Sequence, residues 1–262
     1  MKAILSFSVI FILFFITGCE VLRQKGSIDL EDIFEALDAG ALAMKQQNAK
    51  ALRAVKIDEP PVIDGKLNDP AWQNAPQGTD FSDRRAGGAA AEDQSTIMMV
   101  YTDEAIYFAG YFFDSEPGGI VARQVEDQIR PFGEDWISLT IDPFHTHQFQ
   151  DRTFFMANAI GSKFVSHPPP FADPTEISGM WTAAASIVDD GWIVEMEIPW
   201  EMLNYPETTE PIDIGINVDR GHHRTGANTW WSKVDFVEDD RVDGHWIGVL
   251  PPPKLPILRD DQ

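Results

Sequence analysis

The sequence contains one cysteine, Cys19, in 262 residues. A lone thiol excludes an internal disulfide, so no covalent framework holds the fold. Basic residues are also few: 20 Lys and Arg stand against 42 Asp and Glu, for a formal net charge of −22. That imbalance argues against nucleic acid and against anionic lipid bound through basic patches. It leaves neutral ligands, Ca²⁺ as a counter-charge, and plain solubility of an acidic surface. Enzyme signatures are missing too. There is no Gly-x-Ser-x-Gly elbow, no phosphate loop and no His-Glu-x-x-His. Carboxylates are plentiful, but a glycosidase pair needs a deep cleft on a larger scaffold. The chain reads as non-catalytic.

What is present begins at the N-terminus. Lys2 precedes an apolar run over 3–16, then Ile16-Thr17-Gly18-Cys19. The run is short of the roughly 20 residues of a spanning helix. Small residues before a Cys fit a lipoprotein signal-peptidase site, where the thiol accepts the lipid. The expectation is a signal peptide over 1–18, lipidation of Cys19, and a chain carried outside the cytoplasm. The alternative is an uncleaved anchor with an incidental Cys. Cleavage loses only Lys2 among the charges, which takes the net charge from −22 to about −23. Residues 19–54 read as a tether. Ile28, Leu30, Ile33, Phe34, Leu37, Ala41 and Met44 recur at roughly helical spacing and predict one amphipathic helix.

After Pro60-Pro61 the pattern changes. Aromatic and β-branched runs alternate with Gly, Asp and Asn turns. Strands are predicted over 96–101, 106–113, 136–141, 153–159, 163–166, 183–188, 192–198, 212–218 and 229–232. The segments 102–105, 159–162 and 189–191 are hairpin turns, and Pro199 opens a single helical turn. Short strands separated by turns predict one antiparallel β-sandwich over 55–250. Pro251-Pro252-Pro253 closes it, and 251–262 is a tail.

Five stretches, in order, resemble family 9 carbohydrate-binding modules. They are Val62-Ile63-Asp64-Gly65 with Trp72; Val100-Tyr101-Thr102-Asp103 with Asp114; Gly133-Glu134-Asp135-Trp136 through Asp142; Gly191-Trp192 through Pro199-Trp200; and Ile214-Gly215-Ile216-Asn217-Val218-Asp219-Arg220, closed by Gly248. Asp142-Pro143-Phe144, Asn158-Ala159-Ile160-Gly161 and Arg224 look closer to a subgroup, the family 9-like domain that precedes an outer-membrane β-barrel. The resemblance implies the sandwich, a glycan ligand and a setting in polysaccharide catabolism. With the anchor, it implies a module held at the cell envelope, on the outer membrane. The alternative is a structural or assembly lipoprotein packed on an outer-membrane protein.

Sugars bind through flat aromatic faces and a few fixed polar groups. In the family, two rings sandwich a terminal sugar. One matches Phe132. The other falls in the loop 234–246, where Phe236, His245 and Trp246 are the candidates. Two family polar contacts fall at Met156 and Ser138 and are not kept. Trp72, Trp136 and Trp192 sit in structural motifs and are assigned to the core. Of adjacent Trp230 and Trp231, one points outward, and Trp231 is nominated as a platform, as is Trp181. The resemblance also implies structural Ca²⁺, for which Asp64, Asp114, Asp135 and Asp142 are nominated; each is otherwise a turn former or a solvated charge. His145-x-His147 and His222-His223 lack a visible third ligand, which argues against zinc. Met98, Met99 and Met156 carry no distinctive haem motif.

Overall fold

The computed structural model describes residues 49–166, 177–232 and 243–254. The chain divides into two units, Met1–Met44 and Lys45–Gln262, and everything described belongs to the second. The segment expected to be a signal peptide, Cys19, most of the expected tether with its helix, and Phe236 lie outside the described residues.

Fourteen strands and one short helix are found there: β1 (Ala51–Arg53), α1 (Pro70–Gln73), β2 (Gln77–Gly78), β3 (Ser82–Asp83), β4 (Ala89–Ala90), β5 (Ser95–Tyr101), β6 (Ala105–Phe113), β7 (Trp136–Asp142), β8 (Thr153–Asn158), β9 (Lys163–Ser166), β10 (Thr182–Val188), β11 (Gly191–Pro199), β12 (Ile212–Gly221), β13 (Asn228–Trp230) and β14 (Gly244–Val249). They form two sheets. The larger has nine strands along β4-β3-β13-β12-β7-β8-β9, with β14 on β12 and β1 on β14; the smaller runs β10-β11-β6-β5-β2. The chain is therefore an all-β sandwich, and each of the nine strands read from the sequence is present.

Alternation explains the layering. In β7, Ile137, Leu139 and Ile141 are fully buried toward the other sheet, as are Ile214, Ile216 and Val218 of β12. Phe108 and Phe112 of β6 and Trp192, Val194 and Met196 of β11 meet them from the smaller sheet. Gly110 is required in this layer, because a Cβ there would lie 2.5 Å from the Phe112 ring.

The outer face of the smaller sheet carries a second apolar cluster. Met98, Val100, Tyr107 and Ala109 are covered by Trp72, Ala75 and, at its edge, Ile63 and Leu67. One buried carboxylate fixes this cover. Glu195 Oε2 accepts the backbone N–H groups of Asp64 (3.1 Å), Gly65 (2.8 Å) and Lys66 (3.1 Å), and Glu195 Oε1 accepts Trp72 Nε1–H at 2.7 Å. Gly65 has φ +80°, and a Cβ there would lie 3.0 Å from the Ala185 carbonyl carbon. The first and fourth motifs are thus two halves of one contact. Burial pushes the Glu195 carboxyl above its ordinary range despite these four donors.

Five strands and the helix were not read from the sequence: β1, β14, the two-residue strands β2, β3 and β4, and α1. β1 lies inside residues assigned to the tether, yet it pairs in parallel with β14, Ala51 opposite His245, and buries Leu52. Three residues are too short to show a period, so only the partner strand makes this segment extended. β14 itself was read only as a closing motif; its glycines, Gly244 and Gly248, hide the strand pattern. The turn after Pro199 is a 3₁₀ turn over Trp200–Met202.

Candidate functional site

One end of the larger sheet, where β7 begins and β12 ends, presents an aromatic surface. Phe132 is 59% exposed. Its ring meets Trp136 edge-on, with centroids 5.3 Å apart and planes at 68°. Trp136 is half-buried and lies across Gly221, its partner on β12; a Cβ at Gly221 would collide with the indole. The loop that carries Phe132 is tied down on both sides. Asp135 Oδ2 accepts Val121 N–H at 2.8 Å and its Oδ1 accepts His223 N–H at 3.1 Å. Glu134 Oε1 accepts the N–H groups of Arg123 and Gln124 at 2.8 and 2.9 Å, and its Oε2 accepts Asn158 Nδ2–H at 3.0 Å. The aromatic surface is therefore preorganised rather than hung on a free loop.

Beside Trp136 opens a cavity of about 230 Å³ lined by Arg85, Glu134, His223 and Asn228 among others. It adjoins a second of about 190 Å³, lined by Asp83, Arg85, Glu92, Arg220 and His222 among others. Arg85, His222 and Ala227 belong to both. An aromatic rim over a groove of mixed donors and acceptors suits a neutral, hydroxylated ligand.

Most of the other nominated aromatics are elsewhere. Trp181, Trp231 and Trp246 are 1%, 2% and 0% exposed and offer no face to a ligand. Trp246 points inward from β14, edge-on to Tyr101 at 5.5 Å. Trp231 packs under Gly78, where a Cβ would lie 2.8 Å from its Nε1. Trp181 stands edge-on to Phe155 at 5.2 Å, with the Lys163 ammonium 5.3 Å from its centroid. Trp230 is buried as well, beneath the Arg84 guanidinium at 4.8 Å. Alternation sets a direction but not what covers the residue. Trp72, Trp192 and Trp200 are buried, whereas Trp136 reaches the surface.

The family's sandwich of two rings is not assembled from Phe132 and His245. His245 pairs with Gly215, which pairs with Asp142 at the far end of β7 from Trp136. Six strand steps separate those ends, roughly 20 Å. Ser138 and Met156, where family polar contacts would fall, face each other across β7 and β8, and both are buried.

The four acids nominated for Ca²⁺ serve local structure. Asp64 accepts Lys66 N–H and pairs with its ammonium at 2.7 Å. Asp135 spends both oxygens on backbone donors. Asp142 Oδ2 accepts His147 N–H at 2.7 Å. Asp114 joins Asp93 and His222 in a buried cluster whose ligand atoms lie within 4.8 Å of one another, a set able to hold a divalent metal. Two carboxylates and an imidazole do not fit Ca²⁺, which takes six to eight oxygens. A cation is also already there: Arg224 Nη2 lies 2.9 Å from Asp114 Oδ1 and 3.3 Å from Asp93 Oδ2. His222 Nε2 is 2.8 Å from Asp114 Oδ2. Burial works to raise the Asp114 carboxyl, but the donors from Glu116 N, Arg224 and His222 outweigh it, and its pKa is lowered. The His222–Asp114 contact spans 108 residues and leaves no local trace in the sequence.

No family model matches the chain. Endo-1,4-beta-xylanase A of Thermoanaerobacterium saccharolyticum is 29% identical over 182 residues, which is 68% of this chain and 14% of that protein. Exoglucanase XynX of Acetivibrio thermocellus is 27% identical over 182 residues, or 68% and 15%. The chain thus spans only a small part of the length of these curated relatives. Among solved structures, a family 9 carbohydrate-binding module from Caldicellulosiruptor kristjanssonii in complex with glucose superposes with TM-score 0.53 at 15% identity, over 76% of this chain and 95% of that one. The cellotriose complex of a family 9 module from the same organism gives TM-score 0.54 at 16% identity, over 79% and 96%. This chain has the fold of the family 9 carbohydrate-binding modules.

Proposed function

We propose that the chain is a non-catalytic carbohydrate-binding module, lipid-anchored through Cys19 at the cell envelope, which captures polysaccharide for breakdown. The observation that carries this reading is Phe132, exposed on a tied loop and backed by Trp136 at the mouth of a polar groove. Its support is the fold shared with modules solved with glucose and cellotriose, together with the similarity to part of a xylanase and an exoglucanase. The ligand class is a neutral β-glycan, in keeping with the acidic chain. Among the described residues no helix is long and apolar enough to cross a membrane.

Calorimetric titration of the full-length protein in detergent with cello- and xylo-oligosaccharides tests the binding role. Saturable heat is expected, and silence with every neutral glycan overturns it. Fatty-acid labelling in cells tests the anchor: label is expected on the wild type and absent from Cys19→Ala. A second reading, an assembly lipoprotein on an outer-membrane protein, is favoured by the closure of Ser138 and Met156. Pull-down from solubilised envelopes separates the two.

A further inference from the structure

Three histidines from distant parts of the chain meet at the end of the larger sheet opposite Phe132. His145 and His147 lie in the loop after β7, and His245 is the second residue of β14. His145 Nε2 is 2.8 Å from His245 Nδ1. Ring centroids are 4.5 Å apart for His145 and His147, 4.7 Å for His145 and His245, and 6.3 Å for His147 and His245. All three are half-buried.

The surroundings hold this cluster open. His145 and His147 have φ of 54° and 58°, a left-handed backbone that non-glycine residues rarely adopt and that gathers at functional sites. Opposite them is Gly215; a Cβ there would lie 3.2 Å from both His145 Cδ2 and Asp142 Cβ. Asp142 is buried, and its Oδ1 has no hydrogen-bond partner among the described residues. A buried carboxylate oxygen without a donor is costly, and a cation beside it removes that cost.

We propose that His145, His147 and His245, with Asp142 Oδ1 as fourth ligand, bind a divalent transition-metal ion of the zinc type and so clamp the β7–β8 loop to β14. Zn–N bonds of about 2.0–2.1 Å in a tetrahedron place ligating nitrogens roughly 3.3 Å apart and ring centres roughly 5 Å apart. The three ring separations bracket that value; on metal binding the His145–His245 hydrogen bond opens, its nitrogens part by about 0.5 Å, and the three rings turn to aim a lone pair each at one point. Imidazole and carboxylate donors suit zinc, whereas calcium requires a shell of oxygens. The site is independent of the glycan reading, because it lies at the opposite end of β7.

The full-length protein, stripped with a chelator, is titrated with Zn²⁺ by calorimetry and with Co²⁺ by visible absorption. One equivalent of Zn²⁺, a rise in Tm and the intense bands of tetrahedral Co²⁺ are expected. His145→Gln and His245→Gln each weaken Zn²⁺ by more than about 100-fold, beyond the loss of a merely supporting group. Equal Zn²⁺ affinity in the double variant overturns the site. So does an octahedral, oxygen-only Co²⁺ spectrum of the wild type, which needs no variant to fold.

Discussion

Trp72 donates its indole N–H to Glu195 Oε1 at 2.7 Å, across 123 residues of sequence. The bond joins the opening turn to the middle of β11, so the cover of the smaller sheet stands on one carboxylate. Trp72→Phe keeps the apolar ring and removes the donor. The expected loss is about 1.5–3 kcal/mol near pH 7, the usual worth of a hydrogen bond to a charged group, read from urea midpoints. Its pH dependence has a definite sign. The folded pKa of Glu195 lies above its ordinary 4.5, so the stability it contributes is full below 4.5 and is lost as pH rises through the folded value. The variant lacks a donor that favours the charged form, so its deficit is larger at pH 7 than at pH 4.

Arg152 and Asp243 form an ion pair at 2.8 Å with both side chains 1% exposed. Asp243 stands just before β14 and also accepts Asn217 Nδ2–H at 3.3 Å. Asp243→Ala leaves the guanidinium buried without this partner. A cost of about 3–5 kcal/mol is expected, measured by denaturant unfolding.

Asp114 has the opposite pH sign to Glu195. Its folded pKa is below the ordinary 3.8, so its contribution is full above 3.8 and disappears as pH falls through the folded value. Asp114→Asn is expected to be less stable at pH 7 and to lack that component of acid unfolding, as followed by tryptophan fluorescence.

Gly221 gives Trp136 its place on the sheet. Gly221→Ala forces the indole to move, at a cost of about 1–3 kcal/mol for overpacking. It also displaces the ring that backs Phe132. Glycan affinity is expected to fall although no ligand-facing group is removed; calorimetry and thermal unfolding together check both effects.

The sandwich was legible because its long strands carry the two-residue period: β5, β6, β7, β11 and β12 show inward apolar residues at alternate positions. β1 to β4 and β14 were not, since the first four have only two or three residues and the last is broken by glycines. At the candidate site, Phe132 was nominated through a motif position, and its ring is exposed. Trp181, Trp231 and Trp246 were misjudged because an indole in a strand has the same sequence signature whether it is covered or open. The pairing of His145 with His245 spans 100 residues, so no spacing rule announces it.

The most direct test is the affinity of the full-length protein for cellotriose before and after Phe132→Ala. Phe132 is 59% exposed, so its truncation is expected to change stability by no more than about 0.5 kcal/mol. Loss of the stacking face is expected to weaken binding by about 10-fold or more, while Phe144→Ala, another exposed ring at the far end of β7, leaves it unchanged. Equal cellotriose affinity in Phe132→Ala and wild type would contradict the assignment of this aromatic surface as the glycan site.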